Sequence, residues 1–387
     1  MSQRIIYTAL LPMLVAMLVA MVVHPSLVTI AQRKRLVDRP NARKLNKTPV
    51  PMLGGVGIVC GILFGVGLAG CLLPIPDMSV EIIIALVIML YTGVGDDILD
   101  FNPATKFALQ CFVVMIVVLS ADLCVDNLSG VWGVYYLPKA FAVVMTIFAA
   151  VGVINAINLI DGVDGLCGLY VMMTSLFFGL HLLAVGDNSY AVMAFSTLGA
   201  LIPFVLHNMY GRKYKMFLGD GGSLVLGLIC ALLAVRLIQR EEAPHTGNLI
   251  AFAFATLSVP VCDTLRVMLS RLADGHSPFR PDKRHLHHIL LSLGMTHRAV
   301  AFTLVTAGVS CVAVWSGSVV MGASAEMQIY CTLLSALILT WGIYFLLSYA
   351  RRRNAEWVVA ISRRLGASAE NHTSLGKKLR GVLNDKT

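Results

Sequence analysis

Four short polar motifs interrupt an otherwise apolar chain, and their side chains are of the kinds that bind metal ions and phosphates. Each ionised side chain that is buried in hydrocarbon carries a substantial free-energy cost. Carboxylates at the ends of apolar stretches are therefore most simply explained by a bound cation and a phosphorylated substrate. The motifs are Gly95-Asp96-Asp97-Ile98-Leu99-Asp100, Asn155 to Gly165, Gly219-Asp220-Gly221-Gly222-Ser223, and His285-Leu286-His287-His288.

The first motif places two adjacent carboxylates, Asp96 and Asp97, three to four residues before Asp100. In a helical turn each of them would share a face with Asp100. Like charges at this spacing repel each other unless a cation lies between them, and Mg²⁺ prefers carboxylate oxygens together with substrate phosphates and water. A solvated helix end followed by a turn explains the same residues, so this motif alone leaves both interpretations open.

The second motif repeats amides and carboxylates every three residues, which lines one face of a helix. These side chains are Asn155, Asn158, Asp161 and Asp164. Two glycines then break the helix, and glycine lets backbone N–H groups approach a ligand closely. A polar helix end with a glycine turn is the structural alternative, but it does not explain four regularly spaced polar side chains in apolar sequence.

The third motif comes directly before an apolar stretch. Ser223 is predicted to cap that helix, and a helix amino terminus attracts phosphate. Asp220 is then placed to hold a cation beside the phosphate. Phe217 offers a stacking surface for a base, although simple burial of a lone phenylalanine is the commoner explanation.

The fourth motif groups three histidines within four positions, next to Arg280, Lys283 and Arg284. Three imidazoles are compatible with zinc, but neither a CxxC pair nor another ligand pattern accompanies them. Hydrogen bonding to a diphosphate or to sugar hydroxyls agrees better with the basic neighbours. A chance cluster of histidines at the membrane surface is the remaining alternative.

Two further basic segments are candidates for phosphate contact. Lys106 stands almost alone at the start of an apolar stretch, ten residues after Asp96. It is placed to meet a lipid phosphate, and a lysine that merely snorkels to the membrane surface is the alternative. Lys47 and Thr48, in the basic segment before the second apolar stretch, are placed to touch a nucleotide.

The elements that must position these motifs are membrane helices. The 387-residue chain is 57% apolar and only 13% charged, whereas soluble domains carry about 25% charged residues. We therefore expect an all-α polytopic membrane protein. A spanning helix needs about 20 apolar residues, and the shorter stretches should extend into the neighbouring motifs. Eleven stretches qualify: 5–30, 54–73, 80–95, 104–121, 138–154, 167–186, 190–208, 222–237, 248–269, 299–321 and 327–349.

The basic residues orient the chain, because Lys and Arg accumulate in cytoplasmic loops. With the amino terminus outside and the carboxyl terminus inside, all four polar motifs and all but four of the 30 basic residues lie nearer the cytoplasmic face. The net charge of +9 is thus a topology signal, and we expect no nucleic acid partner. Residues 1–350 form the membrane domain with a cytoplasmic site, and residues 351–387 form a basic, polar, mobile tail.

Taken together, the motifs resemble those of the polyprenyl-phosphate N-acetylhexosamine-1-phosphate transferases, in the order of that family. Each motif alone is weak evidence, but five in order between about residues 31 and 350 are specific. The matching pieces are Lys47-Thr48-Pro49 with Gly54-Gly55, Asp96-Asp97, Asn155-x-x-Asn158-x-x-Asp161-Gly-x-Asp164-Gly, Gly219-Asp220-x-Gly-Ser223, and His285-x-His287-His288.

The resemblance implies a reaction. A polyprenyl phosphate attacks the β-phosphorus of a UDP-amino sugar, the sugar 1-phosphate moves to the lipid, and UMP leaves. A divalent ion, Mg²⁺ or alternatively Mn²⁺, would be required. Phosphoryl transfer depends mostly on positioning and on charge neutralisation, which agrees with the carboxylates and basic side chains found above.

The resemblance also implies roles for individual residues. Asp220 corresponds to the main metal ligand, with Asn158 and Asp97 close by. Asp96 or Asp97 would deprotonate or orient the lipid phosphate, and Lys106 would contact phosphate. Asp164 and Phe217 correspond to the uracil pocket, and the histidines to the diphosphate or sugar. The predicted substrate contacts are Lys47, Thr48, Asn155, Asp161, Asp164, Phe217, Arg280, His285, His287 and His288.

Within the superfamily, His285-Leu286-His287-His288 resembles the branch that uses UDP-GlcNAc and undecaprenyl phosphate to begin O-antigen, teichoic acid or similar envelope glycans. The peptidoglycan branch, which uses UDP-MurNAc-pentapeptide, usually has three consecutive histidines and is the alternative. An ion-coupled transporter is the alternative from another class, but it predicts charges near mid-span. We expect a protein of the bacterial cytoplasmic membrane; whether it is a homodimer is left open.

Overall fold

The computed structural model describes residues 2–38, 49–72, 80–240, 247–280 and 282–352. Within these ranges, eleven helices are long and apolar enough to cross a membrane, which confirms the number predicted from the sequence. A twelfth, short helix, α10, lies between the ninth and tenth spans. In chain order the helices are α1 Gln3–Lys34, α2 Gly54–Leu72, α3 Val80–Leu99, α4 Pro103–Ser120, α5 Lys139–Leu159, α6 Leu166–Val185, α7 Asn188–Tyr210, α8 Gly219–Ile238, α9 Leu249–Ala273, α10 Leu286–Ser292, α11 His297–Val320 and α12 Ala325–Tyr349.

Several spans begin at residues that favour the amino terminus of a helix. Pro103 is the first residue of α4, and the Asn102 side chain accepts a hydrogen bond from the Thr105 N–H at 2.8 Å. The side chain of Asn248 caps α9 in the same way. These caps satisfy N–H groups that have no partner inside the helix, so each apolar run restarts at a defined residue.

Two spans extend into the polar motifs, as the sequence suggested. α3 continues to Leu99, and α8 begins at Gly219. Asp96 and Asp97 therefore lie in the last turn of α3, while Asp220 lies in the first turn of α8. The helices themselves thus carry these carboxylates, which makes their positions more rigid than loop positions would be.

Helix α8 lies at the centre of the bundle, and glycines allow its neighbours to approach its backbone. In its most apolar window 89% of residues are buried, against 17% for α12 at the periphery. A Cβ on Gly55 of α2 would overlap the backbone nitrogen of Gly222, and one on Gly93 of α3 would overlap the carbonyl of Asp220. Small residues at such contacts are the usual device by which membrane helices pack closely.

Two short strands lie between α1 and α2 in the chain. These strands, β1 Val37–Asp38 and β2 Val50–Pro51, pair antiparallel. The Phe217 N–H donates to the Pro51 carbonyl at 2.8 Å, and the Gly54 N–H donates to the Phe217 carbonyl at 3.1 Å. The segment that enters α2 is therefore fixed against the segment that enters α8.

Candidate active site

The polar motifs meet at one end of the bundle, around Asp220. The Lys106 ammonium lies 2.7 Å from Asp220 Oδ2 and 2.9 Å from Asp96 Oδ2. One cation from the first turn of α4 thus bridges carboxylates of α3 and α8. The three side chains are at most one-third exposed, so solvent screens their attraction less than it would on an open surface.

Asp97 caps the amino terminus of α8 from the neighbouring helix. Its Oδ1 accepts from the Asp220 N–H at 3.0 Å, and its Oδ2 accepts from the Gly221 N–H at 3.3 Å. A carboxylate at this end of a helix is stabilised by the helix dipole. Gly219 has a φ of +71°, and a Cβ there would lie 2.5 Å from Asp97 Oδ2. Glycine is therefore needed at 219 for this contact.

The prediction that Ser223 caps α8 is wrong. The helix begins four residues earlier, at Gly219, so Ser223 lies inside it and its hydroxyl donates to the Gly219 carbonyl at 3.0 Å. The sequence hides this start because glycine and aspartate are poor helix formers. The cap instead comes from α3, a contact that no local pattern reveals.

Asn158 links the second motif to Asp220. Its Nδ2 lies 2.7 Å from Asp220 Oδ1 and 2.7 Å from Ser223 Oγ. In this arrangement the amide presents its nitrogen to Asp220, so coordination of a shared ion would require the amide oxygen to face the same point. Asn155 lies one turn earlier and instead pairs with Gln110 of α4, its Nδ2 donating to Gln110 Oε1 at 2.6 Å.

Asp161 follows the end of α5 and lies within the electrostatic influence of three other carboxyl groups. Within the described ranges, no hydrogen-bond donor contacts its carboxyl group. Burial, reinforced by the charges of Asp220, Asp97 and Asp164, raises the pKa of Asp161 well above its ordinary value. A cation or a hydrogen-bond donor from a bound molecule would therefore lower the free energy of the ionised form.

Asp164 has the opposite surroundings. Lys215 Nζ lies 2.6 Å from Asp164 Oδ2, and His297 Nδ1 lies 3.4 Å from the same oxygen. Burial alone would raise the pKa of Asp164, but the hydrogen bonds and charges of His297 and Lys215 outweigh burial and hold that pKa below its ordinary value. The Lys215 ammonium also lies 5.6 Å from the Phe217 ring centre. Lys215 therefore interacts with both the Asp164 carboxylate and the Phe217 ring.

The histidine motif packs against the turn of the second motif. The rings of His285 and His287 are stacked, with 5.7 Å between their centres, and the ring of His288 lies tilted against that of His287 at 4.2 Å. A Cβ on Gly162 would lie 2.9 Å from His287 Nε2, so this glycine allows the ring to approach. Burial, followed by the charges of His288 and His285, lowers the pKa of His287 to about 3.

The remaining predicted contacts lie apart from the cluster or outside the described residues. Arg280 is exposed in the loop before α10, and within the described ranges no contact joins its side chain to Asp220 or to the histidines. Lys47 and Thr48 lie outside the described residues, and so does the predicted tail from residue 353 onwards.

Sequence reasoning missed several residues that the structure brings to this end of the bundle. They are Gln110, Lys215, Asp263 and His297. Asp263 carried a usable signal, because it stands with Arg266 inside an apolar span, where charged residues are expected to be functional. Lys215 was hidden among basic residues that already had an explanation as topology signals.

The oxygen donors around Asp220 fit a hard divalent cation. The carboxyl groups of Asp96, Asp97, Asp161 and Asp220 lie close enough to influence one another's charge, and the Lys106 ammonium pairs with two of them, Asp96 and Asp220. Mg²⁺ prefers such oxygen ligands. Within the described ranges no three carboxylate, imidazole or thiol groups are arranged as they would be around a bound metal.

The chain is similar to proteins of known family. Residues 79–238, which contain three of the four polar motifs, match the model of glycosyl transferase family 4. A relative from Salmonella typhimurium is 30% identical over 348 residues, covering 88% of this chain and 91% of the relative. That relative is named undecaprenyl-phosphate alpha-N-acetylglucosaminyl 1-phosphate transferase.

Two further relatives carry the same name. The one from Escherichia coli K12 is 28% identical and covers 90% of this chain and 93% of the relative. The one from Pasteurella multocida is 31% identical, with 72% of this chain and 77% of the relative covered. The similarity thus extends over nearly the whole membrane domain and is not confined to one motif.

Proposed function

The chain belongs to glycosyl transferase family 4, and from this membership we propose that it transfers N-acetylglucosamine 1-phosphate from UDP-N-acetylglucosamine to undecaprenyl phosphate. UMP is released, and the lipid-linked sugar begins a glycan of the cell envelope. The observation that carries the proposal is the similarity, over 88% of the chain, to a relative named for this transfer. The carboxylates, lysine and histidines at one end of the bundle are the groups that such a reaction needs.

The transfer exchanges one phosphoanhydride bond for another and leaves the ester bond between the sugar and its phosphate intact. An oxygen of the lipid phosphate attacks the β-phosphorus, and the bond from that phosphorus to the bridging oxygen of UMP breaks. A phosphate monoester has a second pKa of about 6, so the lipid phosphate is already mostly ionised and needs no strong base. Asp96 or Asp97 would then orient the lipid phosphate, and Lys106 would neutralise part of its charge.

We infer that Mg²⁺, or alternatively Mn²⁺, is held by Asp220 with Asp97 and an oxygen of Asn158. The support is the set of oxygen donors and the excess of carboxylates over ammonium groups described above. When bound, the ion would neutralise charge on the diphosphate of the donor. In its absence Lys106 already compensates Asp96 and Asp220, so this lysine must exchange partners when an anionic substrate arrives.

The donor would lie along the side of the cluster that carries Asp164, Phe217 and the histidines. Phe217 offers a face for uracil to stack on, and Asp164, held ionised by Lys215, offers an acceptor for its N–H group. His285, His287 and His288 then meet the diphosphate or sugar. Asn155, Asp161, Arg280, Lys47 and Thr48 remain predicted donor contacts.

The proposed orientation places this end of the bundle in the cytoplasm, where UDP-sugars are made. Its support is the distribution of Lys and Arg along the sequence, since all but four of the 30 basic residues fall on the cytoplasmic side of the predicted topology. The amino terminus would then be outside, and the location would be the bacterial cytoplasmic membrane.

The two alternatives are less well supported. A transfer of MurNAc-pentapeptide phosphate agrees less well with the His-Leu-His-His sequence and with the names of the relatives. An ion-coupled transporter would place its charges near the middle of broken helices, whereas the carboxylates of Asp96, Asp97 and Asp220 lie in terminal turns of α3 and α8.

A double-label assay tests the proposal. Purified protein would receive undecaprenyl phosphate, Mg²⁺ and UDP-GlcNAc labelled with ³²P on the β-phosphate and ³H in the sugar. We expect both labels in the lipid fraction in equal molar amount, with unlabelled UMP in the water phase. Sugar label without phosphate label would indicate simple glycosyl transfer with release of UDP, and no lipid-soluble label with any UDP-HexNAc would refute the enzyme.

A further inference from the structure

Asp263 is a buried carboxylate inside α9 to which the proposed reaction assigns no role. It is 3% exposed. Its Oδ1 accepts from Arg266 Nη2 at 2.6 Å, and its Oδ2 lies 2.9 Å from His285 Nδ1. The Leu286 N–H lies 3.2 Å from both oxygens. One carboxylate therefore fixes an arginine, an imidazole ring and the start of α10.

The contact determines which nitrogen of His285 carries the proton. An ionised carboxylate only accepts hydrogen bonds, so the nitrogen that faces it, Nδ1, must be the protonated one. In a neutral ring the other nitrogen, Nε2, is then an acceptor. Nε2 of His285 is buried and has no hydrogen-bond partner among the residues that the structure describes. A buried acceptor without a partner is costly, which points to a donor supplied from outside the chain.

The orientation of His285 also affects the rest of the histidine motif. Its ring lies parallel to that of His287, with 8° between the planes, and His287 packs against Gly162 in the turn beside Asp161. A rotation of His285 would therefore disturb the stack and its contact with the second motif. Asp263 thus influences the candidate donor site indirectly, through the orientation of the His285 ring.

We propose that Asp263 is a positioning residue that holds His285 in the Nδ1–H tautomer and so presents Nε2 as an acceptor for a hydroxyl or amide N–H of the sugar. The identity of the sugar donor rests on the proposed function. Asp263 itself touches no substrate. Arg266 balances its charge and lies 3.6 Å from the centre of the Tyr344 ring, which ties this arrangement to α12.

The test is the tautomer of His285, measured by ¹⁵N NMR on the full chain labelled with [¹⁵N]histidine in detergent micelles. His285→Gln identifies the signals. In the wild type we expect Nδ1 to carry the proton. In Asp263→Asn the amide can donate to Nδ1, so the proton should move to Nε2. The value of kcat/KM for UDP-GlcNAc should then fall on the order of ten- to a hundredfold, the size of effect seen when the carboxylate partner of a metal-bound histidine is removed. Asp263→Glu, which restores a carboxylate, should restore the Nδ1–H tautomer at least in part.

Asp282→Asn is the matched control. Asp282 receives two hydrogen bonds from Arg271, at 2.9 Å and 3.0 Å, in the loop that leads to His285, but it touches none of the histidines. This variant should keep the His285 tautomer and lose activity only in proportion to its unfolded fraction.

Three results would overturn the proposal: a wild-type ring protonated on Nε2, an unchanged tautomer in Asp263→Asn, or an activity loss in Asp263→Asn no greater than in Asp282→Asn. Failure of the proposed function would look different. The wild type would then give no lipid-linked product, while the tautomer comparison would still decide the role of Asp263.

Discussion

At the scale of single residues, the carboxylates of Asp220 and Asp97 make the contacts that hold the candidate site together. Asp220 is contacted by Lys106 and Asn158, and Asp97 holds the first N–H groups of α8. We expect Asp220→Asn and Asp97→Asn each to lower turnover by about a hundredfold or more, because each removes a charge from the site of phosphoryl transfer. Steady-state transfer of labelled GlcNAc-1-phosphate to lipid measures this.

Asp100→Asn is the control for both variants. Asp100 belongs to the same motif, but it is exposed and has a φ of +55°, a conformation that asparagine adopts as readily as aspartate. Its activity should be close to that of the wild type. Normal turnover in Asp220→Asn or Asp97→Asn would refute the roles assigned to these carboxylates.

Lys106 makes a prediction about metal affinity that does not depend on activity. Its ammonium lies within 3 Å of Asp220 and Asp96, where it opposes the entry of another cation. We expect Lys106→Met to bind Mn²⁺ about tenfold more tightly than the wild type in the absence of substrate, since this like charge is removed. Turnover should fall at the same time, because the phosphate loses its partner.

Electron paramagnetic resonance of free and bound Mn²⁺ provides the affinity. Lys139→Met is the control, since Lys139 forms an ion pair with Asp122 at 2.8 Å at the opposite end of α5 and should leave Mn²⁺ binding unchanged. Unchanged or weaker Mn²⁺ binding in Lys106→Met would contradict the idea that the lysine and the metal compete for the same carboxylates.

His287 should act as a neutral ring. Burial lowers its pKa from 6.5 to about 3, so the folded protein favours the uncharged form. The contribution of this group to stability is complete above pH 6.5 and is lost as the pH falls towards 3. We expect the ¹⁵N shifts of His287 to be those of a neutral imidazole at pH 6.0 and at pH 7.5. Titration of the ring near pH 6.5 would contradict this prediction, because His287 would then be partly protonated at pH 6.0.

At the scale of helices, close packing by glycine holds the site together. Gly55 of α2 leaves room only for the backbone of Gly222, whereas a Cβ on Gly67 of the same helix would meet nothing within 4 Å. We expect Gly55→Ala to displace the start of α8, to cost about 1–3 kcal/mol of unfolding free energy as overpacking does, and to lower turnover. Thermal unfolding in detergent and the transfer assay measure the two effects.

Gly67→Ala is the matched control for this substitution. Alanine is favoured over glycine in a helix by about 1 kcal/mol, so with free space around the new methyl group this variant should be as stable as the wild type or slightly more stable. Equal stability and equal turnover of Gly55→Ala and Gly67→Ala would mean that the contact between α2 and α8 does not position the site.

The spans could be predicted because hydropathy over 20 residues is a local property. The sequence also indicated that the shorter spans continue into the motifs, but not the residue at which each helix ends or begins, because the polar residues at Asp96 and Gly219 interrupt the apolar pattern. Asp97 as the cap of α8, and Lys106 as the partner of Asp220, depend on contacts between helices that are far apart in the chain. The motifs thus identified most residues of the cluster, whereas the packing of α3, α4 and α8 determines which of their side chains are in contact.

At the scale of the whole molecule, the two ends of the membrane bundle differ in the charged groups that they carry. Among the described residues, the end with Asp220 carries Asp96, Asp97, Lys106 and the histidine motif. The opposite end carries the pair of Lys139 and Asp122 and the buried Asp187, which accepts from Arg236 Nε at 2.7 Å. A nucleotide donor can reach the first end only from one side of the membrane.

The central claim is that GlcNAc-1-phosphate is transferred at this polar end, facing the cytoplasm. Sealed membrane vesicles of known orientation test it directly, because UDP-GlcNAc does not cross a bilayer. Inside-out vesicles, given UDP-GlcNAc labelled with ³²P on the β-phosphate, should form lipid-linked ³²P at once, whereas right-side-out vesicles should do so only after permeabilisation. Product in intact right-side-out vesicles, or in neither preparation after permeabilisation, would contradict the account.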